Sequence, residues 1–351
     1  MRILYGVQGT GNGHITRALA MAEALRQYPE VECQFLISGR PQAGLFGVEA
    51  LGDYMWREGL SFATRNGKVS VFDTLSHNPW LAFWRDVHQL NLDTYDLIIT
   101  DFEPVTAWAA KRQKVRCIGL GRQYAFVEAH RNLPTTSLQR AMVRQFAPCD
   151  IPLGTHWQAL NGFTLPPVID TSSRTQSTQS QRYLVYLPFQ SLADIERLLE
   201  EIALRAPRCH FDVFHPQANA KVSANAVYYA PSRTTFKHAF EKAEGVISNA
   251  GFGTSSEALY AGKKLLVKPL QGQFEQYANA YCLEAMQLAS VTLKLDAGEL
   301  VSWLNSEGSV QIQWPDVAAT LAEWIAGGAR GSIQALTAAL WQQSHLLRHI
   351  A

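Results

Sequence analysis

Short apolar runs alternate with longer segments whose apolar residues recur every three or four positions. Arg2–Val7 reads as a strand, and Ile15, Leu19, Ala22 and Leu25 then mark one face of a helix over Ile15–Gln27. Cys33–Ile37, Leu97–Thr100, Arg116–Gly119 and Cys149–Leu153 are further strands, with a helix around Val105–Lys111 between two of them. Nearly all-apolar strands interleaved with helices predict a parallel sheet covered on both faces. The pattern then breaks. Residues 170–182 are polar and follow Pro166-Pro167, which is the signature of a linker. Beyond it the alternation restarts, with strands at Tyr183–Leu187, His210–Phe214, Ala226–Tyr229, Gly245–Ser248, Leu265–Lys268 and Ser290–Leu293. Helices are expected at Leu192–Leu204, Thr235–Lys242, Val317–Ile325 and Ile333–Ile350.

The expected class is therefore α/β, with two Rossmann-like domains whose parallel sheets face each other across a cleft. The first domain spans 1–168, a linker 169–182, and the second domain 183–330. A C-terminal helical segment, 331–351, would pack back towards the first domain. At 351 residues the chain is long enough for two cores, and 47% hydrophobic residues with 17% charged ones describe a globular protein. The net charge of +1 gives no electrostatic footprint for nucleic acid. The five cysteines are scattered and show no metal-binding spacing, which points to free thiols in a reducing compartment. The first residues form a strand rather than the long apolar stretch of a signal peptide, and no apolar run is long enough to span a membrane. A cytoplasmic location is expected.

Two glycine-rich turns carry the candidate chemistry. In the second half, Asn249-Ala250-Gly251-Phe252-Gly253-Thr254-Ser255-Ser256-Glu257-Ala258 follows a strand and opens a helix. Such a turn leaves backbone N–H groups unpaired at the positive end of a helix dipole, a site that favours phosphate. Thr254 and Ser255 can add hydroxyl donors or simply cap the helix. Glu257, placed on the helix's first turn, can take both hydroxyls of a ribose. A second element, Glu275-Gln276-Tyr277-Ala278-Asn279-Ala280, follows the next strand together with Gln271, and amide and carboxylate side chains suit sugar hydroxyls. In the first half, Gly9-Thr10-Gly11-Asn12-Gly13-His14 joins the first strand to the first helix. Its spacing departs from the dinucleotide fingerprint, because the third glycine comes one residue early. The second strand ends in Ser38-Gly39-Arg40 without an acid, so Arg40 leaves an NADP reading open.

Taken together, these segments resemble the donor and acceptor loops of glycosyltransferases with the two-domain GT-B fold. They are similar to family 28, the group of the peptidoglycan N-acetylglucosaminyltransferase, and to the related family 1 enzymes. The resemblance implies that Gly251, Phe252, Gly253, Thr254, Ser255 and Glu257, with Asn249, hold the diphosphate and ribose of a nucleotide sugar. It implies that Gln271, Glu275 and Gln276 read the sugar, and that Gly11 and Gly13 leave room at the first turn. His14 would be the base that deprotonates the acceptor, since imidazole titrates near neutrality. Asp101, at the end of the strand Leu97–Thr100, would orient His14 or act as base itself; capping the next helix is the structural alternative. Glu103 lies two residues further on. The implied reaction is an inverting, metal-independent hexosyl transfer from a UDP-sugar to a hydroxyl acceptor, with no cofactor. The alternative GT-A design holds its metal through Asp-x-Asp, which this chain lacks. One feature departs from family 28. The strand Tyr183–Leu187 is followed by Pro188-Phe189-Gln190-Ser191, without glycine.

The acceptor side is less legible. Trp80, Phe83, Trp84 and Val87 share one helical face, and core, cleft wall and membrane-facing patch all fit that spacing. His130, Arg122 and Arg131 follow a strand end and are candidates for the cleft. A lipid-linked or envelope-glycan acceptor fits the resemblance. A UDP-N-acetylglucosamine 2-epimerase shares the implied fold, but its loop has aspartate where Asn249 stands.

Overall fold

A computed structural model describes residues 1–61, 64–65, 68–69, 78–128, 130–171, 178–223 and 225–349. The expected linker residues 172–177 lie outside the described residues. The chain forms two compact units, one from the described residues of 1–65, 69–171 and 314–344, the other mainly from those of 172–313 and 345–351.

In the first unit the elements run β1 (Arg2–Gln8), α1 (Asn12–Leu25), β2 (Glu32–Ser38), β3 (Tyr54–Trp56), the two-residue strands β4 (Thr64–Arg65) and β5 (Lys68–Val69), α2 (Trp80–Gln89), β6 (Leu97–Asp101), α3 (Pro104–Gln113), β7 (Cys117–Gly121), α4 (Ser137–Phe146), β8 (Ile151–Thr155) and β9 (Thr164–Leu165). β4 and β5 form a separate two-stranded sheet among the described residues. The main sheet has the order β3-β2-β1-β6-β7-β8-β9, and every pairing in it is parallel. Strand order therefore reverses between β1 and β6. At such a switch point the connections leave in opposite directions and open a crevice at the carboxyl ends of the strands. The strands bury both faces. Ile3, Tyr5 and Val7 join Ile15, Met21 and Leu25 of α1 in one core, while Leu4, Leu36 and Ile98 meet Phe83 and Val87 of α2 in another.

The second unit contains β10 (Arg182–Tyr186), α5 (Leu192–Arg205), β11 (His210–Phe214), β12 (Lys221–Val222), β13 (Ala226–Tyr229), α6 (Arg233–Lys242), β14 (Gly245–Asn249), α7 (Phe252–Tyr260), β15 (Lys264–Lys268), α8 (Phe274–Ala285), β16 (Ser290–Val291), α9 (Ala297–Asn305) and β17 (Ser309–Gln313). Its sheet order is β12-β13-β11-β10-β14-β15-β16, parallel except where β12 meets β13. The switch point here lies between β10 and β14.

After Gln313 the chain enters the first unit, where α10 (Val317–Ala326) places Ala318, Leu321, Ala322 and Ile325 in the core shared with α1. α11 (Ile333–Gln342) is tied to the same unit by Thr337 Oγ1, which donates to the Gly162 carbonyl, and Trp341 Nε1, which donates to Thr164 O. The helix expected over 333–350 stops at Gln342. His345–His349 instead form β18, which runs antiparallel to β17. The apolar pair Leu346-Leu347 fits either period, and the ladder to Ser309–Gln313 settles it in favour of a strand.

The aromatic face of α2 divides. Phe83 and Val87 are buried, whereas Trp80 and Trp84 remain 41% exposed and Leu81 91% exposed. Trp84 meets Trp108 of α3 edge to face at 5.3 Å. Among the described residues, no helix is long and apolar enough to cross a membrane.

Candidate active site

At the switch point of the first sheet, the turn after β1 meets the end of β6. Gly9 fits tightly there, since a Cβ would lie 2.9 Å from the Ser38 carbonyl. Gly11 caps α1 without a side-chain bond, and a Cβ at Gly13 would meet nothing within 4 Å. Arg40 braces the turn by donating to Asn12 Oδ1 and to the Thr10 carbonyl.

His14 stands on the first turn of α1, with Nδ1 2.6 Å from Asp101 Oδ1. Asp101 is the last residue of β6 and fully buried. Besides His14 it accepts from Arg17 Nε at 2.7 Å, from Arg17 Nη2, and from the Tyr5 hydroxyl at 3.4 Å. Burial alone would push the Asp101 carboxyl up. The charge and hydrogen bonds of Arg17, with the hydrogen bond from His14, overcome this and hold it below the usual carboxylate range. An ionised Asp101 fixes the His14 proton on Nδ1 and leaves Nε2 as the acceptor. Gln123 Nε2 lies 3.5 Å from that Nε2. The His14 side chain keeps 12% of its surface exposed, enough for a small group to reach it.

Asp101 does not cap the following helix. Glu103 does, accepting from Val105 N at 2.8 Å and Thr106 N at 2.7 Å. Its carboxylate also receives Ser38 Oγ and Thr106 Oγ1, each at 2.6 Å. Burial raises the Glu103 carboxyl in spite of these bonds. Gly6 makes room for this cluster, because a Cβ there would lie 2.1 Å from Thr106 Oγ1 and 2.8 Å from Glu103 Oε2. The local backbone turns at Phe102, which adopts φ 55° and stacks on Phe146.

Arg122 is buried, donates to the Thr155 carbonyl and lies over Phe126 and Trp157, so it braces the end of the sheet. Arg131 is exposed, and His130 is half-buried, with Nδ1 accepting from Asn132 N.

In the second unit the Asn249–Ser255 turn sits at the end of β14, beside the switch point. Gly251 caps α7 without any side-chain bond, and among the described residues the N–H groups of Gly253 and Thr254 meet no acceptor. A Cβ on Gly251 would meet nothing within 4 Å. Two buried side-chain atoms also lack a partner there, Asn249 Oδ1 and Ser255 Oγ. Asn249 Nδ2 donates to the Lys268 carbonyl and Asn279 Nδ2 to the Ala250 carbonyl, so both ends of the turn are fastened. Phe252 is buried and Thr254 half-buried. Glu257 is half-buried and falls on the second turn of α7 rather than the first, because the helix starts at Phe252. Gln271 is exposed and Glu275 half-buried. Gln276 is buried, and its Oε1 accepts from Leu270 N at 2.8 Å. It therefore shapes the loop before α8.

The structure thus brings His14 and Asp101 together in the first unit, and Asn249, Gly251, Gly253, Thr254 and Ser255 together in the second. Arg17, Tyr5, Gln123 and Asn279 belong to these clusters but were not singled out from sequence as site residues. Arg17 carried one signal, a cation three residues after His14 and so on the same side of its helix as the candidate base.

A sequence model described as glycosyl transferase family 1 matches residues 1–306. No curated protein matches the chain. Among solved structures, the glycosyltransferase SnogD from Streptomyces nogalater is 15% identical, covering 97% of this chain and 96% of its own, with a TM-score of 0.54. UGT89C1 from Arabidopsis thaliana, complexed with UDP-L-rhamnose, is 13% identical over 96% of this chain and 97% of its own, with a TM-score of 0.55. MurG from Acinetobacter baumannii is 15% identical over 97% and 99%, with a TM-score of 0.51. These likenesses give the fold, GT-B.

Proposed function

Because the chain belongs to glycosyl transferase family 1, and so is a glycosyltransferase, we propose that it moves a hexose from a UDP-sugar to a hydroxyl acceptor, with inversion and without a metal. The observation that carries this reading is the His14–Asp101 pair, 2.6 Å apart at the carboxyl end of β6. His14 Nε2 takes the proton of the acceptor hydroxyl as its oxygen attacks the anomeric carbon. The bond from that carbon to the diphosphate oxygen breaks, and its electron pair leaves with UDP. A single displacement inverts the configuration.

Charge developing on the diphosphate is met by the Gly253 and Thr254 N–H groups and the positive end of α7, which serve where other designs use a cation. The partnerless Ser255 hydroxyl and Asn249 Oδ1 fit polar groups of the donor, and Glu257 the ribose. The complexes of structural neighbours with UDP and UDP-L-rhamnose support uridine as the nucleoside of the donor. A cytoplasmic location belongs to the same proposal and agrees with five cysteines that form no disulfide among the described residues. The proposed acceptor is a lipid-linked or envelope glycan, met by a chain touching the membrane only peripherally. The exposed Trp80 and Trp84 support that contact.

A thermal-shift screen of nucleotides and nucleotide sugars tests the donor half. UDP and one UDP-sugar should raise the melting temperature, and NADP should not. Stabilisation by NADP alone would overturn the reading. Conversion of UDP-N-acetylglucosamine to its 2-epimer without acceptor would replace transfer by epimerisation. For the base, His14→Ala should abolish most turnover while donor affinity stays within about threefold. Equal losses in both would make His14 a binding residue.

A further inference from the structure

The His14–Asp101 pair is not a simple dyad. Arg17 lies one turn along α1, with its side chain only 7% exposed, and grips both oxygens of Asp101. The same guanidinium places Nη2 3.2 Å from His14 Nδ1. Three groups therefore share one buried polar site, and their formal charges are plus one, minus one and that of the imidazole. Resting on the reading of His14 as base, we propose that Arg17 is a positioning residue which balances the Asp101 charge, so that the carboxylate orients His14 without drawing it into an ion pair.

The argument is electrostatic. A lone buried carboxylate 2.6 Å from an imidazole favours the imidazolium strongly, because little solvent screens the pair. An imidazolium cannot accept the acceptor's proton. With Arg17 on both oxygens, the carboxylate presents a neutralised face to His14 yet still accepts its Nδ1–H. The fork geometry matters as well. A guanidinium binding through Nε and Nη2 fixes the plane of the carboxylate, and hence the direction in which Nε2 of the imidazole points.

Tyr5 from β1 adds a neutral hydroxyl to Asp101 Oδ2, and burial together with Asp101 keeps that phenol protonated. Gln123, following β7, adds a neutral amide. Arg40 is spent on the backbone and Asn12 of the glycine turn, and Glu103 on the start of α3. Gly121 keeps the space open: a Cβ there would crowd Arg17 Nη2 at 3.1 Å and Asp101 Oδ1 at 3.4 Å.

The test reads the protonation of His14 directly. The full chain is labelled with ¹⁵N-histidine, and the His14 ring signals are assigned by their loss in His14→Ala. Titrations then compare the parent, Arg17→Gln and Arg17→Lys. Arg17→Gln should raise the His14 midpoint by one pH unit or more, a tenfold gain in proton affinity. It should lower kcat at pH 7 about three- to fivefold, with UDP affinity within twofold and activity recovering about one pH unit higher. Arg17→Lys keeps the charge and should stay within half a unit of the parent. It also serves where the glutamine variant fails to fold. A folded Arg17→Gln protein whose His14 midpoint has not moved would overturn the proposal, and so would a one-unit shift in Arg17→Lys. The two levels separate cleanly. If His14→Ala keeps its turnover, the reading of His14 as base fails whatever Arg17 does. If His14→Ala is inactive but Arg17→Gln titrates like the parent, only the role of Arg17 fails.

Discussion

Asp101→Asn changes one atom and separates orientation from folding. The parent carboxylate accepts four hydrogen bonds, two from Arg17, one from His14 Nδ1 and one from Tyr5. An asparagine offers one acceptor atom and one NH2. If the NH2 takes the Oδ1 position it faces Arg17 Nη2 and His14 Nδ1. One donor then meets a donor, and His14 must switch its proton to Nε2. If it takes the Oδ2 position it faces Arg17 Nε, and again two donors collide. In both arrangements a buried guanidinium loses its counter-charge, a fault that costs about 3–5 kcal/mol when one member of a buried pair is removed. The lower end applies, because the amide oxygen keeps part of the network. For a unit of this size about 3 kcal/mol corresponds to a fall of about 6–12 °C in melting temperature.

Turnover should fall by about 10²–10⁴, the range that a positioned general base contributes. Melting curves and release of UDP from the donor sugar measure the two effects. The pH dependence supplies the sign. The depressed Asp101 contributes stability that is present above the ordinary carboxylate value of about 3.9 and is lost as pH falls through its lower folded value. The deficit of Asp101→Asn should therefore be full at pH 7 and shrink below about pH 4. A variant with turnover within fivefold of the parent and a lowered melting temperature would show Asp101 to be structural only. A variant with neither effect would refute the network.

Three further outcomes are expected. Gly251→Ala should leave the melting temperature within about 2 °C, since φ at Gly251 is −75° and its Cβ would meet nothing, yet it should weaken UDP binding in calorimetry; unchanged affinity would remove the close approach of phosphate to that turn. Glu257→Ala should weaken UDP binding more than about tenfold, the equivalent of 1.4 kcal/mol, and equal affinity would take the ribose contact away from Glu257. Gly6→Ala should destabilise the first unit by about 3 kcal/mol in urea denaturation, because the Cβ displaces Thr106 and disturbs the Glu103 cluster; a loss under 1 kcal/mol would mean that Thr106 rotates away at little cost.

The fold was legible because parallel strands buried on both faces leave near-continuous apolar runs, and the helices between them keep their own period. The runs at Arg2–Val7 and Gly245–Ser248 became β1 and β14, each beside a switch point, and the glycine turns fell where ligands of such sheets bind. The end of the chain was not legible. Residues 345–349 become a strand only because Ser309–Gln313 offers an unpaired edge, and that partner is remote in sequence. Glu257 falls one turn later than its spacing predicts, for a smaller reason. Where a helix begins after glycine depends on one residue's φ and ψ, which composition does not fix.

The harder lesson concerns Asp101 and Glu103. Both carboxylates lie in one loop at the end of one strand, and from sequence each could orient a base or cap a helix. Their roles are divided by residues remote from the loop in sequence. Arg17 and His14 come to Asp101 from α1, while Ser38 from β2 and the bare Cα of Gly6 in β1 make the cavity into which Glu103 turns. The consequence is opposite electrostatics two residues apart, with Asp101 held below the usual carboxylate range and Glu103 pushed above it by burial. The sign follows from charge: Asp101 has a cation against it and Glu103 has only neutral donors, which stabilise a carboxylate less than a guanidinium does. A cation on the helix face that also carries the base, at the spacing of His14 and Arg17, was the feature in the sequence that could have told the two apart.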